Sequence, residues 1–333
     1  MNQGSTLEEE FSYLIQQSKI CKRVIVDAKT SINSVCISED HKQIVIFHHL
    51  NGGGFLSVWD LETLKVKQRI DIPKLYSEDG LCKFSRDNKY IFFALYNDNK
   101  LQIIQLVSRR ARVTECHLEE ALKQMEISIN PKYCCTVTSN YCLLWNQDTK
   151  KVDHKIKTNL NFICCCFKNN DKQLITISYL EDEYTQFNCW RTNNYKVNKT
   201  WACRYVSKQA NCFLLEKQQI LIVDYYDVQE HYIQIWSLIG YSLIRSLYQA
   251  IDPFYIRKIY NSKLIVECQD EDDEEEQNTQ HQWIGFFDIL TFKYRKFETF
   301  IDYGLRYFVL QNALIVENRK KKSNNTEIII NLK

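Results

Sequence analysis

Three kinds of residue cluster in this chain have side chains suited to chemistry. The first is His48-His49 followed by Asn51-Gly52-Gly53-Gly54. A glycine triplet can cradle a phosphate, but a phosphate loop runs from a strand through the glycines into a helix N-terminus, whose unpaired N–H groups meet the anion. Here the glycines run into FLSVWDL, a strand-type segment, so NGGG reads as a turn. Adjacent histidines on a strand point to opposite faces and are poorly placed to chelate one ion. The second cluster is Cys164-Cys165-Cys166 inside the apolar run FICCCF, where cysteine packs as a small hydrophobe; metal or redox chemistry is the rival reading. No pair of cysteines has CxxC spacing. The third kind is charged: SRRAR at 108–112, the acidic run from Asp270 to Glu276, and Arg319 to Lys322. SRRAR reads as a solvated turn. No GxSxG, HExxH or GxxxxGK[ST] occurs, and spacing brings no serine, histidine and aspartate together. The sequence therefore points to no enzyme, no cofactor and no metal.

Composition bounds what must hold such residues. A chain of 333 residues with 45% hydrophobic content can bury a sizeable core. Its 43 basic and 41 acidic residues leave a formal charge of +2, so no whole-surface field draws it to nucleic acid or an anionic membrane. The N-terminus is polar and acidic, unlike a signal peptide, and no run approaches eighteen apolar residues, so no membrane insertion is expected. Fourteen cysteines in so long a chain read as reduced thiols of a cytoplasmic or nuclear protein. With only eight glycines, turns that need positive φ are expected to use Asn and Asp.

The positioning elements repeat. SVWDLETLKV (57–66) is an apolar pair, a bulky residue, a polar turn and a second β-rich segment, and the figure returns six times. Its bulky positions are Trp59, Ile104, Trp145, Trp190, Trp236, Phe287 and Ile330, spaced by 45, 41, 45, 46, 51 and 43 residues. The long interval contains the acidic run. A hairpin precedes each copy, for example SVCISEDHKQIVIF and GLCKFSRDNKYIFFAL, and a fourth β-rich segment follows each of the first six. Four strands in about 44 residues is the mark of a propeller blade, and strands apolar on both faces fit sheets sandwiched between neighbours.

On the period, the tryptophan column and the dipeptide Trp59-Asp60, residues 19–333 resemble the WD-repeat β-propeller superfamily. The resemblance implies an all-β, seven-bladed propeller of four-stranded antiparallel blades. The last copy ends at IIINLK without a fourth strand, and an N-terminal strand in KICKRVIVD is expected to pair there and close the ring. Residues 1–18 are expected to form a short amphipathic helix, with a capping pattern at Ser5 or Thr6 and an apolar stripe of Leu7, Phe11, Leu14 and Ile15.

Loops between second and third strands share one face of such a ring, and they lengthen in copies four to seven. That rim is the candidate partner-binding face, carrying Tyr179, Tyr184, Tyr225, Tyr226 and Tyr232, the acids Asp270, Glu271, Asp272 and Asp273, and the bases Arg319, Lys320, Lys321 and Lys322. The expected function is a monomeric, non-catalytic scaffold that presents rim loops to protein partners in a multi-protein complex. Nucleic acid is not the expected partner. The alternatives are an RNA-binding or nuclear adaptor using 319–322, and a propeller enzyme working at the channel mouth.

Overall fold

The computed structural model describes residues 20–27, 31–50, 53–73, 80–96, 98–107, 110–128, 133–168, 170–180, 184–204, 210–226, 231–249, 254–260, 263–270, 281–288, 294–297, 305–310, 313–319 and 325–332, with side-chain surroundings described only between residues 32 and 247. Among the described residues every regular element is a strand, and no helix is long and apolar enough to cross a membrane. The expected helix over 1–18 lies outside the described residues.

The first strand in the chain is β1 (Ile20–Asp27). The first sheet then follows in chain order as β2 (Ser31–Ile37), β3 (Gln43–Leu50), β4 (Gly53–Asp60) and β5 (Lys65–Pro73). The second is β6 (Gly80–Phe84), β7 (Tyr90–Leu95), β8 (Lys100–Leu106) and β9 (Ala111–His117). The third is β10 (Gln124–Ile127), β11 (Tyr133–Val137), β12 (Tyr141–Asn146) and β13 (Lys151–Lys157). The fourth is β14 (Asn161–Lys168), β15 (Gln173–Leu180), β16 (Tyr184–Arg191) and β17 (Val197–Arg204). The fifth is β18 (Ala210–Leu215), β19 (Ile220–Tyr226), β20 (His231–Ser237) and β21 (Ser242–Gln249). Backbone pairing repeats the pattern in β22 (Phe254–Tyr260), β23 (Lys263–Asp270), β24 (His281–Asp288) and β25 (Tyr294–Phe297). Beyond them, β26 (Leu305–Leu310), β27 (Ala313–Arg319) and β28 (Asn325–Leu332) pair in turn, and β1 lies antiparallel to β28 from Ile20↔Leu332 to Asp27↔Asn325.

Each sheet is a meander of antiparallel strands, and the first strands adjoin one another in sequence: β2 meets β6, β6 meets β10, β10 meets β14, β14 meets β18. The core lies in the seams between sheets. Strand β7, YIFFAL, is buried along its whole length. Because side chains alternate, Ile91, Phe93 and Leu95 pack with Val45, Phe47 and Val58 of the first sheet, while Tyr90, Phe92 and Ala94 pack with Met125, Cys134 and Trp145 of the third. Each fully buried Phe or Ile in these seams contributes roughly 1.5–3 kcal/mol. Gly80 begins the inner strand of the second sheet because a Cβ there would stand 2.9 Å from the ring of Phe47.

The bulky column falls on the third strand of each sheet, at Trp59, Ile104, Trp145, Trp190 and Trp236 in the first five. Where the residue is Trp, the pairing with the fourth strand shifts by one at that residue; at Ile104, opposite Val113, it does not. Each indole N–H donates to a side-chain oxygen: Trp59 to Ser57 (2.8 Å), Trp145 to Thr136 (2.8 Å), Trp190 to Thr176 (2.9 Å) and Trp236 to Gln234 (3.2 Å). The extra residue of the bulge is Lys67, Asp153, Asn198 and Ile244 respectively. In three sheets it pairs with the residue after the Trp: Lys67 with Asp60 at 2.7 Å, Asp153 with Asn146 at 2.9 Å, and Asn198 with Arg191 at 2.9 Å. In the fifth sheet these positions are Ser237 and Ile244, and Ile244 is exposed.

The third-to-fourth-strand turns end on a left-handed residue at Leu64, Lys150, Tyr195 and Tyr241. Asn88, Asn170 and Asp171 follow the expectation of Asn and Asp at positive φ, but these four, with His41 and Gln219, depart from it. The backbone bonds from Leu64 to Asp60, Lys150 to Asn146 and Tyr195 to Arg191 close the turn and impose the conformation whatever side chain stands there.

Candidate partner-binding face

The loops joining second to third strands emerge at one end of the sheets. In the first sheet this end is built by β3, β4 and β5. His48 and His49 do point apart: His48 is buried and stacks on Phe55, with ring centroids 4.3 Å apart, while His49 is half-buried. The guanidinium of Arg69 lies 3.8 Å from the centre of the Phe55 ring and bonds Asp71 at 3.0 Å. His48 Nε2 meets Ser57 Oγ at 2.7 Å, and the same oxygen accepts the Trp59 indole N–H. Burial first, and the charge of Arg69 second, lower the His48 pKa to about 4, so the ring is neutral at pH 7. A histidine touching a serine resembles a nucleophile and its base. Both are buried here, at 1% and 3% exposure, and the contact anchors the tryptophan.

In the third sheet the tight turn at 138–140 places Tyr141 opposite Lys157. Lys155 Nζ sits 3.6 Å from the centre of the Tyr141 ring and also bonds Glu119. Glu120 accepts bonds from the backbone N–H and side-chain amide of Asn140. Lysine and glutamate here each favour the other's charged form. Cations thus lie against half-buried rings at this end, at 3.6 and 3.8 Å from the ring centres; at the opposite end Lys168 and Lys199 stand farther off, 5.7 and 5.5 Å from the Tyr241 ring.

The expected rim residues meet different fates. Tyr184 is exposed at the hairpin end of the fourth sheet, between Leu180 and Arg204. Tyr179 and Tyr232 are half-buried and pack against the seam of the fourth and fifth sheets. Tyr225 is a correction: it is fully buried in that seam, and burial pushes its phenol well above the usual range. The reason is local. Strand β19 continues through Tyr226, and successive strand residues face opposite ways, so Tyr225 turns inward, where Cys203 and Thr185 bond it. The side chain of Tyr226 lies outside the described residues. Asp270 ends β23 opposite His281, and Arg319 ends β27 opposite Thr326; Glu271, Asp272, Asp273, Lys320, Lys321 and Lys322 lie outside the described residues.

The expected lengthening of the rim also changes. In the fourth sheet YLEDEYTQ is mostly strand, with Tyr179 opposite Thr185 and Leu180 opposite Tyr184; residues 181–183 lie outside the described residues. β-Branched and aromatic residues prolong the ladder there. Phe55, Arg69, Tyr141, Lys155 and Lys157 were missed by sequence reasoning. The alternation HKIK after the tight turn TSNY was the available signal, since it sets both lysines on the tyrosine's face.

At the opposite end, turns of adjacent sheets are bonded: Arg86 to Glu39 at 2.7 Å, and Glu39 N–H to Asn88 at 2.7 Å. That end also holds Ile239, 81% exposed, the most exposed large apolar side chain among the described residues. On the inner strands, Lys83 of β6 and Glu126 of β10 form an ion pair at 2.7 Å.

No protein-family model and no curated protein matches this sequence. Solved structures do match in fold. The β-propeller domain of Cps50 (Swd1) from Myceliophteria thermophila superposes with a TM-score of 0.59 at 11% identity, covering 94% of this chain and all of that one. A chain of the hydrazine synthase of Kuenenia stuttgartiensis superposes at 0.56 with 10% identity, covering 80% and 95%. At such identities the likeness shows the fold alone, and the fold is a β-propeller.

Proposed function

We propose that this propeller is a non-catalytic platform for protein partners, a degenerate WD-repeat ring of seven blades over residues 19–333 that β1 closes. Support for the closure is the β1–β28 pairing and the approach of β26 to β2, which would complete the cycle of adjoining first strands. The observation that carries the function is the cation-decorated aromatic end: Tyr141 under Lys155, Phe55 under Arg69, and exposed Tyr184 beside Arg204. Rigid rings give contact area with few rotamers to freeze, and arginine and tyrosine are frequent interface anchors. Stiff sheets hold these side chains in place before a partner arrives, which lowers the ordering cost of binding. We place the protein in the cytoplasm or nucleus, with the acidic and basic runs at 270–276 and 319–322 steering association.

The test is affinity capture with the full chain, read by mass spectrometry, followed by titration of the recovered partner. Replacing Phe55, Tyr141 and Tyr184 together by Ala should abolish binding, while Ile239→Ser on the other end should leave it intact. The reverse result would move the interface to the opposite face. The RNA-adaptor alternative requires a steep salt dependence of RNA binding that disappears when 319–322 are changed to Glu.

A further inference from the structure

Strand β14 carries three consecutive cysteines, and alternation sends them to different seams. Cys164 and Cys166 face the fifth sheet, where Cys212 stands; Cys165 faces the third sheet. There it meets Cys135 of β11 and Cys142 of β12. Cys135 Sγ lies 3.1 Å from Cys142 Sγ and 3.6 Å from Cys165 Sγ, and the three sulfurs are all within 4.8 Å of one another. All three side chains are fully buried, among Val137, Leu144, Ile156, Phe162, Phe167 and Leu174.

We propose that Cys135, Cys142 and Cys165 form a binding site for a single soft, monovalent metal ion of the Cu(I) class, held by sulfur alone at the seam of the third and fourth sheets. Three sulfurs around an ion with metal–sulfur bonds of about 2.3 Å stand roughly 4 Å apart, so the observed triangle needs adjustments of less than about an ångström. Soft thiolates select Cu(I), zinc or iron–sulfur clusters. Structural zinc takes four ligands almost without exception, and the cluster among the described residues has three. Iron–sulfur clusters held by cysteine likewise take four thiolates, which leaves an ion that accepts three sulfurs. Coordination changes no oxidation state: the sulfurs donate lone pairs to the ion, and the thiol protons it displaces pass to solvent.

Such an ion would tie β11 and β12 of one sheet to β14 of the next. Because the cluster is buried, loading is tested during refolding of the full, reduced chain without oxygen, with Cu(I) supplied from a competing colorimetric chelator. The wild-type protein should retain one equivalent against the chelator, melt at a higher temperature than the metal-free form, and show sulfur neighbours only by X-ray absorption. Cys142→Val and Cys165→Val, each checked for a native circular dichroism spectrum, should weaken retention at least a hundredfold. Cys36→Val and Cys212→Val, in other seams, should leave it unchanged. The proposal falls if the wild-type chain retains no ion, if the retained equivalent survives both seam variants, or if zinc is held in preference to Cu(I). The wild-type measurement stands even where a variant does not fold.

Discussion

The second sheet and its neighbours solve the same packing problem differently. In the first, third and fourth sheets a tryptophan on the third strand is accompanied by a one-residue bulge on the fourth, an oxygen acceptor for the indole, and a polar pair between the bulge residue and the residue after the Trp. In the second sheet Ile104 replaces the tryptophan, the ladder runs straight, and Gln105 pairs in register with Arg112. The fifth sheet keeps the tryptophan and the bulge but puts Ile244 at the bulge. The bulge thus travels with the indole, and the polar pair is a separable addition. An aliphatic side chain fits the regular pleat, whereas the indole needs both room and an acceptor for its N–H.

Five variants test that contrast. Trp145→Ala in the third sheet should cost about 3–5 kcal/mol, read by denaturant unfolding, because it empties a buried site shared with the second sheet. A loss below about 1 kcal/mol would mean the seam collapses around the gap. The first sheet alone, among the described tryptophan sheets, links its indole through Ser57 to a buried histidine, so acid should find it first. With the His48 pKa near 4 in the folded chain and about 6.5 unfolded, the unfolded state binds the proton first as pH falls. Stability is complete above about pH 6.5 and drops by about 3 kcal/mol by pH 4. In His48→Gln this segment of the pH profile should flatten; an unchanged profile would assign the acid sensitivity elsewhere.

Thr136→Val, which strands the buried Trp145 N–H, should cost about 1–3 kcal/mol. Thr176→Val beneath half-buried Trp190 should cost less, and equal losses would show that the acceptor matters for shape alone. The smallest effect is a gain. Ser237→Asp with Ile244→Lys copies the Asp60–Lys67 pair of the first sheet into the fifth and should add about 0.2–1 kcal/mol, seen as a small rise in melting temperature that salt reduces.

Periodicity made the third strands legible in the sequence, because a bulky residue recurring every 41 to 51 positions needs no knowledge of its partners. The hairpins were legible for the same reason. The bulges were not: whether Lys67, Asp153 and Asn198 are extra residues depends on the register of a second strand, which local pattern does not fix. Tyr225 was misjudged because a strand end and a loop look alike when both are rich in Tyr and Asp. Leu64 and Tyr195 were unreadable as left-handed residues, since closure of the turn overrides their preference. The run Cys164-Cys165-Cys166 was legible as buried strand, but which seam each sulfur enters follows only from the neighbours of β14.

The outer strands bear on how this protein behaves in a concentrated solution. Opposite the bulky column each of those in the first five sheets presents an exposed aliphatic residue to water, at Val66, Val113, Val152, Val197 and Leu243. A free strand edge with an apolar centre is a template for another molecule to add to, and charged flanks are what discourage it. Strand β5 has Lys65, Lys67 and Arg69, and β13 has Lys151, Lys155 and Lys157; β21, SLIRSLYQ, has only Arg245, beside exposed Leu243 and Ile244. Self-association on storage should therefore start at this one edge. A lysine at 244 would lengthen the shelf life of the sample more than the same change on any other outer strand described here.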